Sequence, residues 1–251
     1  MNREDFKIEI CSNGVESCEA AERGGADRVE LCAGIPEGGT TPSYGEIYVS
    51  REVLKNTLLH VIIRPRGGDF TYSPSEIRRM EMDIDIARRL GADGVVFGCL
   101  NPDGTIAMKE NEILMRHARG MNVTFHRAFD RCKNPMESLE QIIDLGFNRV
   151  LTSGQQNTAE LGIPMLKDLQ KVADGRIAIL AGCGVNENNI AKIQQETGVC
   201  EFHFSARRPV KGRMEYVNPD VCMGAKGVDE SLIDYTSEDR VRDTIQQLLN
   251  R

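Results

Sequence analysis

LGADGVVF, residues 90–97, reads as a joint between a helix and a strand: Gly91 closes a helix in a left-handed turn, Asp93 leads out, and a β-branched and apolar run follows. The same joint stands at GGADRVEL (24–31) and at LGFNRVL (145–151). Working outward from these three places gives strands near 6–11, 27–32, 59–64, 94–98, 122–126, 148–152, 176–181 and 201–205. Between them lie amphipathic stretches such as SEIRRMEMDIDIARRL (75–90) and NPMESLEQIIDLG (134–146), whose apolar residues recur every three or four positions. Ser75 and Asn134 are the expected N-caps, with Pro135 at a first helical position. Eight strands alternating with helices predict parallel pairing through right-handed crossovers, and that number closes a (β/α)8 TIM barrel. An open doubly wound sheet is disfavoured because SNGVES, not a GxGxxG turn, follows the first strand.

The length of 251 residues fits one such domain over 1–251, with a long irregular segment about 206–236 before the last helix, TSEDRVRDTIQQLLN. A segment that long suits a lid or a contact surface. Hydrophobic residues at 40% and charged residues at 27% supply a core and argue against disorder. A net charge of −7 disfavours nucleic acid or an anionic membrane as partner, while a small basic pocket for an anion stays open. No apolar run reaches about 18 residues, and the polar start MNREDFK has no apolar signal-like core. Eight cysteines without a CxxC pair suit reduced thiols, so a cytoplasmic location is expected.

Alternation along each strand sends one set of side chains to the helices and the other to the barrel axis. With Ile8, Ile10, Val29, Leu31, Val61 and Ile63 facing the helices, Glu9, Cys11, Glu30, Cys32, Arg64, Arg66, Thr124, His126, His203 and Ser205 face inward. His126 then ends its strand at the carboxyl-end face, where barrel active sites lie. Glu9, Glu30 and Arg64 are open to a second reading, a structural ion network inside the barrel. His203, between Phe202 and Phe204, reads equally as a satisfied core histidine. Arg127 is expected to face the helices, and His60 and His117 to be structural. Two loops and a turn add anion-binding candidates: Gly67 and Gly68 in PRGGDF (65–70), Gly182 and Gly184 in LAGCGVNENN (180–189) with Asn186 capping the next helix, and Ser153 and Gly154 in TSG (152–154). No lysine stands at an expected strand end, and HExxH, GxSxG and Walker sequences are absent. What remains is proton-transfer or lyase chemistry on a small anionic or phosphorylated substrate, with Arg64 and Arg66 as clamps and His126 as acid or base helped by Glu9 or Glu30. A non-catalytic binding or assembly protein is the other possibility.

PEGGTTPS, RPRGGDFTYS, TFHRAFD, RVLTSG, AGCGV and EFHFSA, in this order, resemble the CutC copper-homeostasis family from about residue 6 to the C-terminus. The resemblance implies a TIM barrel, a cytoplasmic location, a homodimer and a link to copper handling. Cu(I) prefers thiolate, and Cys11 and Cys32 end adjacent strands with the same inward phase, so they are the candidate metal ligands. Cys99, Cys183 and Cys222 add ligands only if loops bring them near, and packing accounts for Cys18 and Cys200.

Overall fold

In a computed structural model, which describes residues 2–216, 218, 220, 221, 223, 224 and 229–250, eight parallel strands close into a barrel. They run β1 (Lys7–Ser12), β2 (Arg28–Leu31), β3 (Leu58–Ile62), β4 (Gly94–Phe97), β5 (Asn122–Phe125), β6 (Arg149–Thr152), β7 (Ala178–Gly182) and β8 (Glu201–Phe204), each pairing with the next and β8 with β1. The intervening helices are α1 (Val15–Arg23), α2 (Tyr44–Val53), α3 (Pro74–Arg89), α4 (Met108–His117), α5 (Pro135–Asp144), α6 (Ile163–Ala173) and α7 (Ile190–Thr197). Beyond β8, the segment expected to be irregular forms an antiparallel ribbon of β9 (Arg207–Lys211) and β10 (Leu232–Thr236), followed by α8 (Glu238–Leu249). Among the described residues, no helix is long and apolar enough to cross a membrane.

The repeated joint has a common mechanism. Gly25, Gly91 and Gly146 all have positive φ, and the acidic or amide residue two positions on reaches back to the neighbouring strand. Asp27 accepts the Ile8 amide at 2.8 Å, Asp93 the Leu59 amide at 2.8 Å, and Asn148 the Val123 amide at 2.7 Å. The backbone amides of these three residues donate in return to the carbonyls of Ile8, Leu59 and Val123. Each joint thereby fixes the start of one strand beside the next.

Helix α3 begins two residues earlier than expected. Ser73, not Ser75, is its N-cap, exchanging hydrogen bonds with Glu76 while Pro74 takes the first helical position. Asn134 and Pro135 open α5 as expected, although the Asn134 side chain bonds Glu137 and not a backbone amide.

Ile8, Ile10, Val29, Leu31, Leu59, Val61, Ile63, Val95 and Phe97 are fully buried in the layer between barrel and helices. The barrel interior is charged near the strand starts. Glu9 pairs with Arg28, whose Nη2 lies 2.9 Å from Glu201, and Arg149 reaches Glu201 at 3.1 Å and the Thr124 hydroxyl at 3.2 Å. An internal ion network therefore exists, built with arginines that open strands β2 and β6.

Candidate site at the barrel mouth

Above this network, at the carboxyl ends of the strands, lies a cavity of about 430 Å³. Register explains its floor. Glu9 stands opposite His203, and Cys11 opposite Glu30, so β8, β1 and β2 bring four polar side chains together. His203 Nδ1 is 2.7 Å from Glu9, and its Nε2 is 3.7 Å from Glu30. The Cys32 sulfur lies 3.4 Å from a Glu30 carboxyl oxygen, and the sulfurs of Cys11 and Cys32 are 4.0 Å apart. Arg207, the first residue of β9, donates through Nη2 to both the sulfur and the carbonyl of Cys11 at 3.1 Å.

These contacts set the protonation states. The hydrogen bond from Cys32 lowers the Cys11 pKa well below the thiol range against the opposing effect of burial, with His203 and Arg207 adding to it. Cys32 is pushed up correspondingly by Cys11 and by burial. Burial would depress His203, but Cys11, Glu9 and Glu30 outweigh it and hold the imidazole well above its usual value. Glu30 is pushed up to about 8, first by burial and then by the neighbouring Cys11 and Glu9. The arrangement therefore favours the thiolate at Cys11, the imidazolium at His203 and the neutral carboxyl group at Glu30.

The inward residues divide by depth. Cys11, Glu30, Cys32, Arg64, His126, His203 and Gly184 line the cavity. Glu9 lies one layer below, behind His203, and so orients that ring. Arg64 is buried and donates to the carbonyls of Glu37, Gly39 and Gly68, bracing the loops after β2 and β3. Arg66 does not reach the axis. It follows Pro65 beyond the end of β3 and turns to Glu76 at 2.6 Å and Asp69 at 3.0 Å, so it is a loop brace and no clamp.

The small-residue turns are also redirected. Ser153 bonds Asp130 and the Gln156 carbonyl, and the Gly154 amide bonds the Thr152 hydroxyl, which leaves the TSG turn occupied by protein. Gly67, Gly68 and Gly182 lie outside the cavity lining; a Cβ on Gly67 would strike Glu37, and one on Gly182 would strike Leu151. Helix α7 starts at Ile190, with Asn189 as its N-cap, so Asn186 belongs to the preceding turn. Cys183 lines the cavity but donates to the Asn157 carbonyl at 3.1 Å, Cys99 is buried outside the lining, and Cys222 lies outside the described residues.

Two charged lining residues were not expected: Arg127 and Arg207. Arg127 opens a 3-10 turn (Arg127–Arg131), so strand alternation no longer predicts its direction, and Asp130 holds it at 2.7 Å. Arg207 follows Ala206, whose positive φ breaks the phase of β8.

The thiol pair and carboxyl group fit a soft metal ion: ligand atoms of Cys11, Glu30 and Cys32 all lie within 4.8 Å of one another. With a family model matching residues 6–208, the relationship is decided. The chain belongs to the CutC family. It is 62% identical to a CutC family protein of Bacteroides thetaiotaomicron, over 97% of this chain and 98% of the relative. It is 48% identical to the human copper homeostasis protein cutC homolog, over 88% of this chain and 80% of the relative. The CutC structure from Streptococcus agalactiae superposes with a TM-score of 0.77 at 36% identity, covering 80% of this chain and 98% of that one. By name, then, the family is one of copper homeostasis, and the fold is shared with a solved member.

Proposed function

We propose that this CutC protein binds Cu(I) through the thiolates of Cys11 and Cys32 in the service of copper homeostasis. The observation that carries this reading is the convergence of two sulfurs at 4.0 Å with the Glu30 carboxyl group beside them. Cys11 and Cys32 would supply two soft thiolate donors, and Glu30, on losing its proton, would add a carboxylate oxygen beside them. The positive charges of His203 and Arg207 offset the two thiolates that metal binding requires.

Competition with a chromophoric Cu(I) chelator under reducing conditions should show about one Cu(I) per chain, and Cys11→Ser and Cys32→Ser should each weaken it by roughly a hundredfold or more. Full retention in the double variant would end this reading. A second reading is favoured by the Glu30 carboxyl group, which lines the cavity 3.7 Å from His203 Nε2 and, pushed up to about 8, can give and take a proton near neutral pH. It is acid–base chemistry on a small molecule at the same mouth, and it takes first place if the wild type fails to compete for Cu(I).

A further inference from the structure

The cavity is far larger than a metal site needs, and two arginines line it as well as the thiols. Arg127 uses Nε on Asp130 and Nη2 on the Ser153 hydroxyl; Arg207 uses Nη2 on Cys11. The Nη1 groups of both, together with the buried Nε of Arg207, have no hydrogen-bond partner among the described residues. His126 completes the set. Its Nδ1 accepts from the Ala128 amide at 3.3 Å, so in the neutral ring Nε2 carries the hydrogen, and that buried Nε2 also lacks a partner among the described residues. Buried donors left unsatisfied cost free energy that an acceptor would recover. In a chain of net charge −7, guanidinium groups gathered at one concave place are a local reversal of sign.

We infer that this cavity binds the oxyanion, carboxylate or phosphate, of one small molecule through the lining side chains Arg127, Arg207 and His126. The forked geometry of a guanidinium matches two oxygens of either group, and Asp130 fixes the fork of Arg127 in advance. The lining also includes Ile35, Ile62, Phe70, Leu151, Val185 and Phe204, so the ligand carries an apolar body behind its charged end. Of its three side chains, Arg207 touches the thiol floor through Cys11, whereas Arg127 is held by Asp130 and Ser153 and His126 by the Ala128 amide.

Calorimetric titration with inorganic phosphate and, separately, malonate, in chloride buffer, tests the assignment. At least one of the two should bind saturably with one site per chain, and Arg127→Gln and Arg207→Gln should each weaken it roughly tenfold or more, the loss of one charge-assisted fork. Arg176→Gln, which removes a surface cation paired with Glu140 outside the cavity lining, should leave the affinity unchanged. Arg127→Lys retains a cation beside Asp130 should Arg127→Gln fail to fold; it is expected to lose roughly threefold or more, because an ammonium cannot fork. No saturable heat from either anion in the wild type, or affinity unchanged in both Arg127→Lys and Arg207→Gln, overturns the inference.

Discussion

His126 shows how one residue can serve the fold and the site together. Its backbone carbonyl and Nδ1 cap the 3-10 turn that carries Arg127, while its Nε2 is left over at the cavity. Burial, and then the adjacent Arg64, push its pKa down to about 3. An unfolded chain takes up this proton near pH ~6.5, and the folded protein does not until about 3, so the group weakens stability as pH falls through that window. His126→Asn removes the titration and keeps an acceptor for the Ala128 amide. Urea unfolding between pH 7 and 4 should therefore show the wild type losing stability relative to the variant by up to about 1.4 kcal/mol per pH unit below ~6.5. A difference independent of pH would mean that the folded and unfolded chains protonate His126 alike.

Strand interiors are narrow enough that a single methyl group is felt. Gly94 in β4 faces the ring of His60, and a Cβ there would also stand 2.6 Å from the Asn122 carbonyl. Gly94→Ala should cost about 1–3 kcal/mol in urea unfolding, the range for overpacking a filled core; an unchanged midpoint would show that His60 has room to move. This element scale is also where the sequence was most legible. The Gly and Asp/Asn joints recur because each performs the same two-way backbone pairing, so eight strands could be placed by extrapolation from three. Phase located Cys11, Glu30, Cys32, Arg64 and His126 on one face because alternation persists to each strand end and just past it. Beyond that point it fails. Arg66 is carried off by the loop after Pro65, Arg127 by a 3-10 turn, and Arg207 by the left-handed Ala206. The β9–β10 ribbon was illegible for a related reason: RRPVK and LIDYT are largely exposed, and Pro209 lies in the first of them, so no buried face imposes an apolar period.

At the scale of the whole molecule, the barrel encloses charge where an apolar plug is usual. Glu9, Arg28, Glu201 and Arg149 sit around the axis, and Glu9 is also the group that orients His203 beneath the cavity. The network is therefore the foundation of the mouth, and disturbing it should be felt in both. Arg28→Met leaves Glu9 fully buried without its principal partner, a loss of about 3–5 kcal/mol at pH 7 if the carboxylate stays ionised. Burial alone would raise the Glu9 pKa; Arg28, then His203 and His60, reverse this and hold it well below the usual range. Stability from that depressed carboxylate is present above its unfolded value of about 4.3 and is lost as pH falls through the folded pKa. In Arg28→Met the side chain protonates more readily, and a neutral acid needs no counter-ion. The gap between wild type and variant should consequently be widest near pH 7 and shrink towards pH 4, as read by unfolding midpoints at the two values. A gap of the same size at both would mean that Arg28 contributes by filling space, and that His203 is oriented without help from the charge below it.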